Sequence, residues 1–177
     1  MNTIPINKGQ GPLADKIERK VSTYGIFNPL LKIFKHPALP HRLETVCRVN
    51  GVHYINDSAA QSINATYYSL NRIPGPVIWL VCNDDAFTRF EELGPVMVFK
   101  TRHIIACGAA FAKLEKLFGS RIPVSAAGSP EEAVRLASQI APAGSFVLFS
   151  PAASRPRYEI QKLSGRFVGA IKKLKNK

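Results

Sequence analysis

The 177-residue chain has no G-x-x-x-x-G-K-[ST] segment and no G-x-G-x-x-G after an apolar run. These absences exclude a P-loop of its own and a dinucleotide fingerprint. No apolar stretch approaches the roughly 20 residues of a membrane span. The opening MNTIPINKGQGPLADKIERK lacks the apolar run of a secretory leader. It is also arginine-poor and carries Asp15 and Glu18, unlike an organelle transit peptide, so a cytoplasmic location is expected. Three cysteines, Cys47, Cys82 and Cys107, form no C-x-x-C pair. That spacing argues against zinc and a disulfide framework, and reduced thiols are expected, two of them buried in apolar runs. His36, His41, His53 and His103 show no ligand spacing, so no metal site is expected. Nor does residue order alone support a Ser-His-Asp or Cys-His arrangement, and no catalytic residue is assigned.

Apolar residues make up 46% of the chain, enough for one full core with a remainder too short for a second. The net charge of +12 is unevenly spread. Residues 1–40 hold six Lys/Arg against two acids, residues 41–150 ten against nine, and residues 151–177 eight against one. The middle is nearly neutral and both ends are basic, which suits nucleic acid, an anionic surface or a protein partner.

The start of the chain is loose up to residue 12, and apolar residues from Leu13 to Phe34 have roughly helical spacing, broken by Gly25 and Pro29. HPALPHR (His36 to Arg42) holds two prolines and reads as an extended linker. It divides a basic N-terminal segment (1–40) from a globular domain (41–177). Asn50-Gly51 between alternating segments signals a β-hairpin. A helix is expected over Ser58 to Arg72, a buried strand over Pro76 to Asn83, and a helix over Glu91 to Phe99 interrupted at Gly94-Pro95. Then come a strand over His103 to Gly108, a helix over Ala109 to Phe118 and the short strand VSAA. Ser129-Pro130-Glu131-Glu132 is a capping box with proline at the first helical position, opening a helix to about Ile140. A last strand spans Ser145 to Pro151. Ile160, Leu163, Phe167, Ile171 and Leu174 mark an amphipathic helix with Arg166, Lys172, Lys173 and Lys175 around it. Alternating helices and near-continuous apolar strands predict an α/β fold, Rossmann-like, mostly parallel, with helices on both faces and an antiparallel hairpin first.

Ligands gather beyond the carboxyl ends of such strands. Asp57-Ser58 stands at one of them. Asp57 would accept ribose hydroxyls and Ser58 would meet a carboxylate; the competing reading is a helix N-cap. Asn83-Asp84-Asp85, at another end, reads as a solvated loop, because two carboxylates without His or Glu are thin for a metal. CGAAF reads as close packing.

LPHRLETVCRVNGVHYINDSAAQSINAT carries a specific resemblance to the opening of the Mur ligase C-terminal domain, the D-glutamate-adding branch above all. IPGPVIWLV, SPEEAVRLA and SFVLFSPAAS continue it in order, so it spans about residues 25–170. GIFNPLLKIFKHPALPHR resembles the last helix of the family's central domain running into its linker. The resemblance implies an ATP- and Mg2+-dependent amide ligase of peptidoglycan synthesis, whose P-loop lies in a separate central domain. It implies Arg42 at the ATP phosphates and Asp57 at the ribose. A planar, always-charged guanidinium suits phosphate oxygens, and a carboxylate suits a vicinal diol.

The amino-acid half departs from the family pattern. The family's lysine after N-D-S falls on Ala59, and its Thr-Asn on Gln61-Ser62. Its G-G-x-D-K-G turn becomes CNDDAF, with Ala86 for the lysine. Its S-P-A-C-A-S-F-D becomes SPAASRPR, starting at Ser150, with Arg155 for the substrate-contacting serine. Losing two charged contacts of about 1.5–3 kcal/mol each weakens binding on the order of a hundredfold or more. Ser58, Ser150 and Arg155 remain as substrate-contacting candidates. Two expectations follow. One is an incomplete ligase domain that acts only with a P-loop partner. The other is a non-catalytic interaction module that reuses the fold.

Overall fold

Asn50 and Gly51 both take left-handed backbone, φ 50° and 79°, and fold β1 (Glu44–Val49) onto β2 (Val52–Asn56) as an antiparallel hairpin. The computed structural model describes residues 40–85 and 87–175. The loose start, the helical spacing over Leu13 to Phe34 and most of the linker lie outside them, as does Ala86.

After β2 the chain runs through α1 (Ile63–Arg72), β3 (Val77–Cys82), a 3-10 turn (Phe90–Leu93), α2 (Gly94–Lys100), β4 (Thr101–Cys107) and α3 (Ala110–Phe118). Then follow β5 (Val124–Ala127), α4 (Pro130–Ile140), β6 (Phe146–Phe149) and α5 (Arg157–Lys175). The six strands lie in the order β1-β2-β6-β3-β4-β5, every pair parallel except the first. β6, last in sequence, sits between β2 and β3.

β3 is buried at all six positions, because helices cover both faces. Its alternate residues feed different cores. Val77, Trp79 and Val81 meet Leu70, Met97 and Leu114 on one face, and Ile78 and Leu80 meet Val134, Phe167 and Ile171 on the other. The α/β architecture with its leading hairpin is as the apolar pattern predicts. α5 docks its apolar stripe on the sheet and leaves Arg157, Lys162, Lys172, Lys173 and Lys175 exposed.

Three local expectations are corrected. The first helix begins at Ile63 rather than Ser58, and Ser62 is its N-cap, with its Oγ accepting from Ala65 N at 3.2 Å. Asp57 is held by other partners, and residues 57–61 form a turn. Gly94-Pro95 opens α2 instead of interrupting a helix, since proline fits the first helical turn.

The third correction concerns thiols. Cys82 and Cys107 are register partners on β3 and β4, with Cα atoms 4.4 Å apart, and are joined as a disulfide. A separation of 25 residues hid the pair, because a parallel crossover returns the chain alongside itself. Cys47 is the free cysteine among the described residues.

Candidate functional site

The site lies at the carboxyl end of the sheet, where β2 ends and β6 leaves. Asp57 N donates to Phe149 O at 2.8 Å, which fixes the turn after β2 against its neighbour strand. The Asp57 carboxylate then points inward and is fully enclosed. Its Oδ1 accepts from Arg42 Nη1 at 2.5 Å and Leu43 N at 3.1 Å, and its Oδ2 accepts from Ser150 Oγ at 3.0 Å. Arg42 spreads its guanidinium further: Nη1 also donates to Ser69 Oγ at 3.0 Å and Nη2 to Ala65 O at 3.1 Å. Tyr68 covers it from outside, 5.8 Å from ring centre to guanidinium carbon, with Arg72 on the same ring at 5.3 Å.

Ser150 links this pair to the core. Its Oγ lies 2.8 Å from Thr66 Oγ1, and its carbonyl accepts from Trp79 Nε1 at 2.8 Å. Burial pushes the Asp57 carboxyl above its ordinary range; the Arg42 charge and the hydrogen bonds from Ser69, Leu43 and Ser150 oppose that.

Backbone strain surrounds the pair. His41, Leu43 and Ala152 hold φ at 67°, 45° and 54°, a region that non-glycine residues enter at a cost of about 1–3 kcal/mol. His41 and Leu43 bracket Arg42, and Ala152 follows Ser150 by two residues. Neighbouring hydrogen bonds hold them there. His41 N donates to Glu44 Oε2 at 3.1 Å, and Ala59 N donates to His41 O at 2.9 Å. The buried Asn56 amide donates to Glu44 Oε2 and Ser164 Oγ, both at 2.9 Å, tying the hairpin to α5.

The other sequence candidates separate from this cluster. Ser58 is buried beside Asp57, and its Oγ has no hydrogen-bond partner. Arg155 stands over the end of β3, donating to Cys82 O at 3.1 Å and Glu159 Oε2 at 3.2 Å, with a buried Nε that has no partner. Asn83 is a brace rather than a solvated loop residue, donating to Thr88 Oγ1 at 3.0 Å and Ala152 O at 3.3 Å. Among the described residues no three His, Cys, Asp or Glu side chains gather to hold a metal ion.

A cavity of about 310 Å³ opens between the start of α1, the loop after β3 and residues 152–154. Gln61, Ser62, Asn64, Arg89 and Glu92 are among its walls. Arg42 and Asp57 are not. Thr66 and Ser69 belong to this hydrogen-bonded cluster and were not singled out from the sequence. Their signal was present: with Ile63 and Leu70 they make the buried face of α1, where two hydroxyls need partners.

No family model matches the chain. It is 38% identical over 120 residues to the UDP-N-acetylmuramoylalanine--D-glutamate ligase of Chloroherpeton thalassium, covering 68% of this chain and 26% of that one. The corresponding ligase of Porphyromonas gingivalis is 38% identical over 123 residues, 69% of this chain and 27% of that one. The chain thus spans about a quarter of the length of the curated relatives it matches. Among solved structures, a murein peptide ligase of Psychrobacter arcticus matches with a TM-score of 0.56 at 13% identity, over 81% of this chain and 32% of that one. That likeness shows the shared fold.

Proposed function

We propose, for a chain that belongs to the Mur ligase family as its C-terminal domain, that it is the closing half of an ATP-dependent amide ligase of peptidoglycan synthesis in the cytoplasm, inactive without a P-loop partner. The observation that carries this reading is the Arg42–Asp57 pair at the carboxyl end of β2, set among motifs that run in family order. In this reading Arg42 serves the ATP phosphates and Asp57 the ribose, with Mg2+ held by the partner and the phosphates.

A ribose reaches Asp57 only after Arg42 leaves it, because both carboxylate oxygens are engaged and enclosed. Arg42 is placed to move: a quarter of its side chain is exposed, and strained residues flank it. Opening the pair would turn the guanidinium outward. The amino-acid half is weaker in this reading. Ser58 Oγ is a buried side-chain oxygen that lacks a partner, and Arg155 brings a cation, so these two with Ser150 are the substrate-contacting candidates. The 310 Å³ cavity beside Gln61 and Ser62 stands where the family's Thr-Asn would lie.

The test is an amide NMR titration of the chain with Mg-ATP, with Asp57→Asn as the control. Shifts centred on residues 41–43 and 57–60, absent in the control, support the reading. Unmoved amides at saturating nucleotide would overturn its nucleotide half. The second reading, a non-catalytic module, is favoured by one observation: both oxygens of the Asp57 carboxylate are already held by protein donors. Its partner would be a polyanion or an acidic protein meeting the exposed basic residues of α5, and nucleic-acid binding that weakens steeply with salt would identify it.

A further inference from the structure

Two exposed cations, Arg48 and Lys175, meet at the opposite end of the sheet from the candidate site. There the β1–β2 turn and the last turns of α4 and α5 enclose a cavity of about 530 Å³. That volume falls within the range of small-molecule sites. Its walls are mixed, with Asn50 and Ser138 adding uncharged polar groups to an apolar and a cationic part. Val49, Val52 and Leu174 supply apolar surface, with the ring of the buried Tyr54, which makes no side-chain hydrogen bond among the described residues. Arg48 and Lys175 stand at its edge, both exposed.

Among the described residues neither cation has a carboxylate partner, whereas Arg155, just before α5, and Arg166, on it, are each paired with a carboxylate. The acids of the surrounding elements, among the described residues, lie at the far ends of those elements. Glu44 begins β1, where it holds His41 N and Asn56; Glu131 and Glu132 begin α4; Glu159 begins α5. A 19-residue helix is about 28 Å long, so the start of α5 is far outside a Debye length of about 8 Å from its end. The carbonyl end of α5 accounts for lysines in its last turn. It does not account for Arg48, which comes from a strand.

We propose that this cavity binds a small anion carried on an apolar body, a medium-chain carboxylate being the simplest case. The carboxylate would sit between Arg48 and Lys175, and the chain would lie on Val49, Val52, Tyr54 and Leu174. Neither half of such a ligand suffices alone, because the cations stand at the edge and the apolar side chains lie apart from them.

The test is an amide NMR titration of the full chain with hexanoate, with hexanol and inorganic phosphate as the two half-ligands. Hexanoate is expected to move amides of residues 48–54, 138–141 and 174–175. Hexanol and phosphate are expected to bind about tenfold more weakly or worse, since a charged hydrogen bond is lost in one and the apolar contact in the other. Arg48→Gln with Lys175→Gln removes both charges from exposed positions, and should lower hexanoate affinity about tenfold while leaving distant amides unmoved. Lys175→Glu should abolish it. Equal binding of hexanol or of phosphate, unchanged affinity in the double variant, shifts centred elsewhere, or no shifts at tens of millimolar hexanoate would each overturn the assignment.

Discussion

Arg42 and Asp57 are 15 residues apart in sequence and 2.5 Å apart in space, and they differ in what they face. Asp57 is wholly enclosed, while a quarter of the Arg42 side chain meets solvent. One member of the pair reaches solvent and the other does not. Removing Arg42 therefore strands a buried charge.

Arg42→Met should lower stability by about 3–5 kcal/mol at neutral pH, the typical cost of an orphaned buried ion. The sign with pH follows from Asp57. Burial holds its carboxyl above the ordinary value, so the folded state binds the proton more tightly than the unfolded chain. Its contribution is most favourable below the unfolded value and declines as pH rises through the folded one. Without Arg42 that decline should deepen. Urea unfolding at several pH values should show Arg42→Met closest to the parent in mild acid. Adding Asp57→Asn should recover much of the loss at neutral pH; no recovery would mean that Arg42 acts mainly through Ser69 and Ala65.

Glu131 behaves in the opposite sense. The bidentate bond from Arg166, at 2.8 and 2.7 Å, holds its carboxyl at about 2 and straps α4 to α5. Its contribution is present above the unfolded carboxylate value and is lost as pH falls towards 2. Both side chains are about two-fifths exposed, so solvent limits the effect to about 1 kcal/mol or less. Glu131→Gln should flatten the acid side of the stability curve by that amount and leave the alkaline side alone.

Ser150→Ala removes a donor to Asp57 and the partner of Thr66 together. A loss of about 1–3 kcal/mol is expected. It should not add to the loss from Arg42→Met, because both act on one carboxylate. Trp79, the single tryptophan, donates to the Ser150 carbonyl, so its emission should report either change.

Thiol titration of the denatured, unreduced chain should find Cys47 alone reactive, and all three cysteines after reduction. Three reactive thiols before reduction would show Cys82 and Cys107 lying side by side unbonded.

Gly108→Ala should destabilise the turn from β4 into α3. Gly108 holds φ 71°, and the methyl would collide with the Asp84 carboxylate. A drop in melting temperature without a change in the Arg42–Asp57 region is the expected result.

The sheet was legible because strands covered on both faces are written as unbroken apolar runs, and PVIWLVCN is one. The hairpin was legible because Asn50-Gly51 supports two left-handed residues. What escaped notice depends on partners far off in sequence. Asp57 resembled a helix cap locally, and only Ser150, 93 residues on, and Arg42 show why it turns inward. Asn83 resembled solvated loop for the same reason, its carbonyl partner lying 69 residues on, at Ala152. The Arg42–Asp57 match was legible as motif; that the two bind each other was not.

The place of β6 in the sheet bears on how the domain is born. A ribosome delivers β2 and β3 long before Phe146, and neither strand gains its native neighbour on that side until β6 arrives between them. Until then two apolar half-sheets wait with unpaired edges, the state in which nascent chains seek wrong neighbours. The last strand is the keystone, so a chain cut before residue 146 is expected to aggregate rather than form a smaller domain.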